Sequence, residues 1–132
     1  MAIRRSFIVW PVVLVAVFLA GYVPEYVHGS RIQKTLDETT RQYEGLYLRD
    51  LAGLAYMQAA EKNYGLAAHT AARYFDRVRQ MQANTNIEQW KKTYADLLSS
   101  RDKVMSGLDR ADPAVLGDLQ ALYGKTRAAT IP

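Results

Sequence analysis

Apolar positions along this chain follow two regimes. From Phe7 to Val23 they run unbroken, seventeen residues without a charge. After Ser30 they recur at three- and four-residue steps, the spacing that puts apolar side chains on one face of a helix. No window alternates with the period of two that a strand needs, so the expected fold is all-α. The unbroken run spans roughly 26 Å at about 1.5 Å of helix rise per residue, close to the hydrocarbon thickness of a bilayer. It predicts a single transmembrane helix over residues 6–24, a short tail over 1–5, a small antiparallel bundle of about four helices over 25–128, and a frayed C-terminus over 129–132.

The residues within the run fit a membrane segment. Pro11 lies in its first turns, where a missing N–H is tolerated. Trp10 and Tyr22 lie near its ends, where amphipathic rings favour the lipid–water boundary. Ala16, Ala20 and Gly21 are small enough to let another membrane helix approach. The competing reading is a signal peptide over residues 1–29, with Pro24 as a helix breaker and cleavage after Val27-His28-Gly29. Against it, the apolar run is longer than the usual core of such peptides, and no Ala-x-Ala is present. Arg4 and Arg5 precede the run, while Arg31, Lys34 and Arg41 follow it at greater distance, diluted by Glu25, Asp37 and Glu38. That asymmetry predicts a cytoplasmic tail and a domain on the far side of a bacterial inner membrane, in the periplasm.

Four helices are expected beyond the membrane. The first runs from Ser30 to about Lys62, with Ile32, Leu36, Tyr43, Tyr47, Leu51, Leu54 and Met57 as its apolar face, and stops at Asn63-Tyr64-Gly65. The second covers Leu66 to Gln82 and presents Ala67, Ala71, Tyr74, Phe75, Val78 and Met81. Asn86 caps a third, from Ile87 to about Leu108. Asp112-Pro113 starts the fourth, with Asp as N-cap and Pro in the first helical position. Such helices are too short to persist alone, so their pooled apolar faces must hold them together.

The first helical turn-around resembles a tetratricopeptide hairpin. Leu51-Ala52-Gly53-Leu54-Ala55-Tyr56 is similar to that family's first helix. Tyr64-Gly65-Leu66-Ala67, Ala71 and Phe75 are similar to its second. The gap from Tyr56 to Tyr64 is two residues too long, and Trp90-Lys91-Lys92-Thr93 does not continue the pattern. The resemblance implies one helix pair closed by small residues. It does not imply an array, which needs several units.

Composition narrows the function. The chain holds 17 basic and 13 acidic residues and no cysteine. Disulfides and thiolate metal sites are therefore impossible. Arg4 and Arg5 carry two of the positive charges, and the rest of the chain is close to neutral with signs interspersed. No basic stripe points to nucleic acid. Glu25-Tyr26-Val27-His28 has the spacing that places two ligands on one helical face, but a di-iron bundle needs two such motifs and two further glutamates. His28 and His69 are thus the candidate ligands for a haem, a pigment or a metal, while a polar residue at the membrane boundary and an ordinary histidine among alanines are the plainer readings. Asp109 and Asp112 form a conceivable carboxylate pair, with Asp112 already occupied as a cap. No Ser/His/Asp order, phosphate-binding glycine loop or other catalytic constellation occurs. No cofactor is expected.

Nine tyrosines are the most distinctive feature. They either close a small core with hydroxyls at its rim or form a docking face. Tyr74, Trp90 and Tyr94, with Arg73 and Arg77, are the candidate partner-binding residues. The expected function is non-enzymatic: a membrane-anchored scaffold or adaptor domain of the bacterial envelope, an accessory subunit whose partners are the lipid bilayer and another membrane or periplasmic protein. The alternatives are a cleaved periplasmic helical protein and a ligand binder using His28 or His69.

Overall fold

The computed structural model describes the backbone of residues 3–130 and the side chains of residues 13–18 and 32–130. All regular structure among them is helical: α1 Ile3–Ala60, α2 Tyr64–Asn84, α3 Glu88–Leu98, α4 Arg101–Asp109 and α5 Val115–Thr130. The chain divides into two compact units, Met1–Thr40 and Arg41–Pro132.

The first unit consists of the N-terminal part of α1. Its helix passes through Pro24 without ending there. A proline inside a helix removes one backbone hydrogen bond, and α1 continues past this one as a single helix to Ala60. Of the expected membrane segment, Phe7, Trp10, Pro11, Ala20, Gly21, Tyr22 and Val23 have side chains outside the described residues, as does His28. Val13, Leu14, Val15, Ala16, Val17 and Phe18 are described, and all are exposed. Among the described residues no helix is long and apolar enough to cross a membrane.

The second unit is the bundle. The last turns of α1 run antiparallel to α2: Gln58 meets Thr70, Tyr47 meets Arg73, and Glu44 meets Arg77. Further along, α2 packs on α3 and α4, and α5 closes on both. The turn between α1 and α2 is a Schellman motif. Asn63 N donates to the Gln58 carbonyl and Lys62 N to that of Ala59. Lys62 takes the left-handed conformation, with φ of 62°, and the Asn63 side chain then caps α2 by accepting from Leu66 N. The same motif ends α4. Asp112 N reaches Gly107, Ala111 N reaches Leu108, and Ala111 adopts a φ of 51°. The sequence signal for a stop was right in place but wrong in residue: Lys62, not Asn63 or Gly65, takes the left-handed position.

The expected third helix is two helices. Ser99 Oγ donates to the Asp96 carbonyl at 2.6 Å and Ser100 Oγ to that of Leu97 at 2.9 Å. Paired serines that bond the preceding turn compete with the helical ladder, and α3 ends there. Asn86 is not the cap of α3. Ile87 occupies that position in extended backbone, and its N–H donates to Thr85 Oγ1. Asp112 accepts from Ala114 N at 2.9 Å, but it closes the turn ahead of the helix: α5 begins at Val115, so Pro113 lies in that turn and not at the expected first helical position. The C-terminus is not frayed as far as it is described: α5 reaches Thr130, and Thr126 is fully buried.

The largest correction concerns which face of α1 is inside. Of the seven residues expected to face the core, Leu51 alone does so. The buried face is Leu48, Leu51, Ala52, Ala55 and Ala59, which join Ala67, Ala71, Tyr74, Phe75 and Val78 of α2 in one core. Alanines on both helices let their backbones approach closely, and the bulky Tyr74 and Phe75, with rings 5.1 Å apart edge to face, fill the space beyond.

Candidate functional site

The buried alanine face leaves the opposite side of α1 uncovered. Within the bundle, Tyr43, Leu46, Tyr47, Leu54 and Met57 are exposed, Tyr43 by 72% and Met57 by 59%. At about 100° per residue, all five fall within an arc of roughly 100°. They make one aligned apolar strip, in two groups, along some four turns, about 21 Å. Asp50 sits at its centre. Its helical neighbours at three and four residues are Leu46, Tyr47, Gly53 and Leu54, and it forms no ion pair among the described residues. Scattered exposed apolar residues are normal on proteins, but an aligned set is a mark of an interaction surface.

Beside this strip lies an open groove of about 470 Å³ lined by Tyr47, Arg73, Asp76, Arg77 and Gln80. The two arginines differ. Arg77 binds Glu44 through two nitrogens, with Nε to Oε2 at 2.7 Å, and donates to Gln80 Oε1 at 2.9 Å. The bond to Glu44 raises its already high pKa and ties α2 to α1. Arg73 donates Nη2 to the Tyr47 hydroxyl at 2.9 Å and has no carboxylate partner among the described residues. Its positive charge is the one on this wall that no acid offsets. Asp76 stands 3.7 Å from Arg79.

The other candidates separate. Tyr74 is fully buried and cannot meet a partner. Its residue type suggested a surface, but its place between Ala71 and Phe75 on the core face decides otherwise. Thr126 Oγ1 spends its single proton on the Leu122 carbonyl at 2.8 Å, so in the 2.6 Å contact Tyr74 is the donor. Burial pushes the Tyr74 phenol up to about 12. Trp90 and Tyr94 stack on α3 with ring centroids 5.9 Å apart. Tyr94 is 6% exposed and its phenol is also raised by burial, with Arg41 opposing and Glu44 adding. Trp90 is half-buried against the core. Arg73 and Arg77 thus share the groove, and the aromatic candidates lie elsewhere.

His69 is exposed on α2. Among the described residues no three His, Asp or Glu side chains are grouped to hold a metal ion. Sequence reasoning found Tyr43, Tyr47, Leu54 and Met57 but assigned them inward, and it missed Leu46 and Asp50. The available signal was the second, small-residue face of α1, Gly45, Ala52, Ala55 and Ala59, running parallel to the large one. No family model, curated protein or solved structure matches the chain.

Proposed function

We propose that this chain is a non-enzymatic, membrane-tethered adaptor: its N-terminal helix is held in a bacterial inner membrane, tail inward, and its bundle binds a neighbouring envelope protein as an accessory subunit. The observation that carries the reading is the state of Val13–Phe18. These six consecutive apolar residues lie on a helix and are exposed on every side, the five large ones by 54 to 69%. A helix apolar all round is a buried helix. Each Val, Leu or Phe left in water forgoes roughly 1.5–3 kcal/mol of burial energy. Lipid removes that cost over the whole run, and the arginines before it favour the stated orientation. The exposed strip on α1 supports the second half of the proposal, because it gives the bundle a surface that calls for cover.

Carbonate extraction of native membranes tests the tether. The full chain is expected in the pellet, released only by detergent, and a double substitution Leu14→Arg, Val17→Arg is expected to free it. A soluble chain beginning near Ser30 would overturn the anchor. Purification in mild detergent tests the adaptor role, with a stoichiometric protein partner as the expected result and an isolated chain as the contrary one.

A further inference from the structure

We infer that the strip Tyr43, Leu46, Tyr47, Leu54 and Met57 receives an amphipathic α-helix of another protein, and that this helix carries a Lys or Arg at the centre of its apolar face to meet Asp50. The inference names the partner's chemistry for the adaptor role proposed above and rests on that role. It does not need the membrane tether.

The charge pattern chooses among occupants. A second copy of this chain fits the strip poorly. The antiparallel pairing that matches Tyr43 to Met57 and Leu46 to Leu54 places Asp50 directly on the other copy's Asp50. The in-register parallel pairing does the same. Two carboxylates brought together inside an apolar contact repel and lose their water. An anionic lipid surface fits no better, since Asp50 would face its headgroups. A helix with apolar residues at three- and four-residue spacing matches the strip's form, which is four turns long with apolar residues on both sides of one central carboxylate. Its central cation would neutralise a carboxylate that has no cation partner within the described residues. Charge placement of this kind sets register and partner choice more than it sets affinity.

The test uses the full chain in phosphatidylcholine nanodiscs, or free in buffer should it prove extractable. Two synthetic 18-residue amphipathic peptides serve as probes, identical except for Lys or Glu at the centre of the apolar face. Binding is read by fluorescence anisotropy. The lysine peptide is expected to bind about fivefold or more tightly than the glutamate peptide. Asp50→Lys should reverse that order. Asp50 is exposed, so this variant leaves the core untouched. Leu46→Ser should weaken both peptides together, and Gln120→Ser, on the exposed side of α5, neither. Equal binding of the two peptides, or none, overturns the inference. So does a dimer in analytical ultracentrifugation that Leu46→Ser abolishes, which would assign the strip to a second copy. Adsorption of the wild-type bundle to phosphatidylglycerol vesicles that is lost in Leu46→Ser would assign it to lipid. A chain that washes off membranes yet keeps the lysine preference would remove the tether and leave this inference standing.

Discussion

The bundle segment of α1 has two apolar faces, and they have opposite fates. One is small: Gly45, Ala52, Ala55 and Ala59, with Leu48 and Leu51 as its large apolar residues, and it is buried. The other is large: Tyr43, Leu46, Tyr47, Leu54 and Met57, and it is exposed. Area alone would bury the large face, which would remove more apolar surface from water. Fit decides otherwise. The small face lets α2 come close, and backbones at short range gather dispersion contacts over their whole length. Gly45 shows how tight this side is: a methyl group there would stand 2.8 Å from Thr130 Cγ2. The large face remains free for something the bundle does not itself supply.

The strongest way to break this contrast is to enlarge the small face. Ala55→Leu forces three extra carbons into a site that is 1% exposed and is expected to cost about 3 kcal/mol, enough to lower the thermal midpoint by more than 10 °C. A midpoint within 2 °C of the wild type would show that the interface has slack.

Next in size is an alkaline test of the bulky residues that fill the space beyond the alanines. Tyr74 ionises at about 12 in the fold against an ordinary 10. Above pH 10 the unfolded chain loses this proton first, so stability falls as pH rises. The loss reaches about 2–3 kcal/mol near pH 12. Tyr74→Phe removes this contribution and should flatten the fall in urea-unfolding midpoints between pH 10 and 12. An unchanged slope would place the alkaline loss elsewhere.

Gly107 extends the small-residue argument to α4 and α5. A Cβ there would lie 2.8 Å from Val115 Cγ2 and 3.0 Å from its Cβ. Val115 is buried and stiff at χ1, so Gly107→Ala should cost about 1–2 kcal/mol despite alanine's better helix propensity. Denaturant unfolding checks it. The smallest effect belongs to the large face. Leu54→Ser, on the exposed strip, should change stability by less than about 0.5 kcal/mol in the same assay. A larger loss would mean that the strip is covered within the bundle.

The same contrast explains what was readable in the sequence. Helical periodicity located the bundle segment of α1, α2 and α5 and excluded strands, because a 3.6-residue repeat is a property of local order. It could not rank two faces of one helix, since both repeat with the same period. Leu54 and Ala55 are adjacent in sequence, and only the partner helix determines which one turns inward. The break at Ser99 and Ser100 was missed because each serine alone is tolerated in a helix, and the competition arises from the pair. Tyr74 and Arg73, neighbours on α2, were grouped as surface residues, and the fold sends one to the core and the other to the groove. Arg77 could not be recognised as a tie, because Glu44 lies far from it in sequence.

The contact between Gly45 and Thr130 carries a consequence for chain connectivity. It places the first turn of the bundle against the last, with Arg41 only one helical turn away. The unit is therefore nearly a closed ring in which the position of the ends is a matter of convenience. A few glycines and serines joining Thr130 to Arg41, with new ends opened at the exposed Asn84–Asn86 link, should yield a permuted chain with the same helical circular dichroism and a similar melting point.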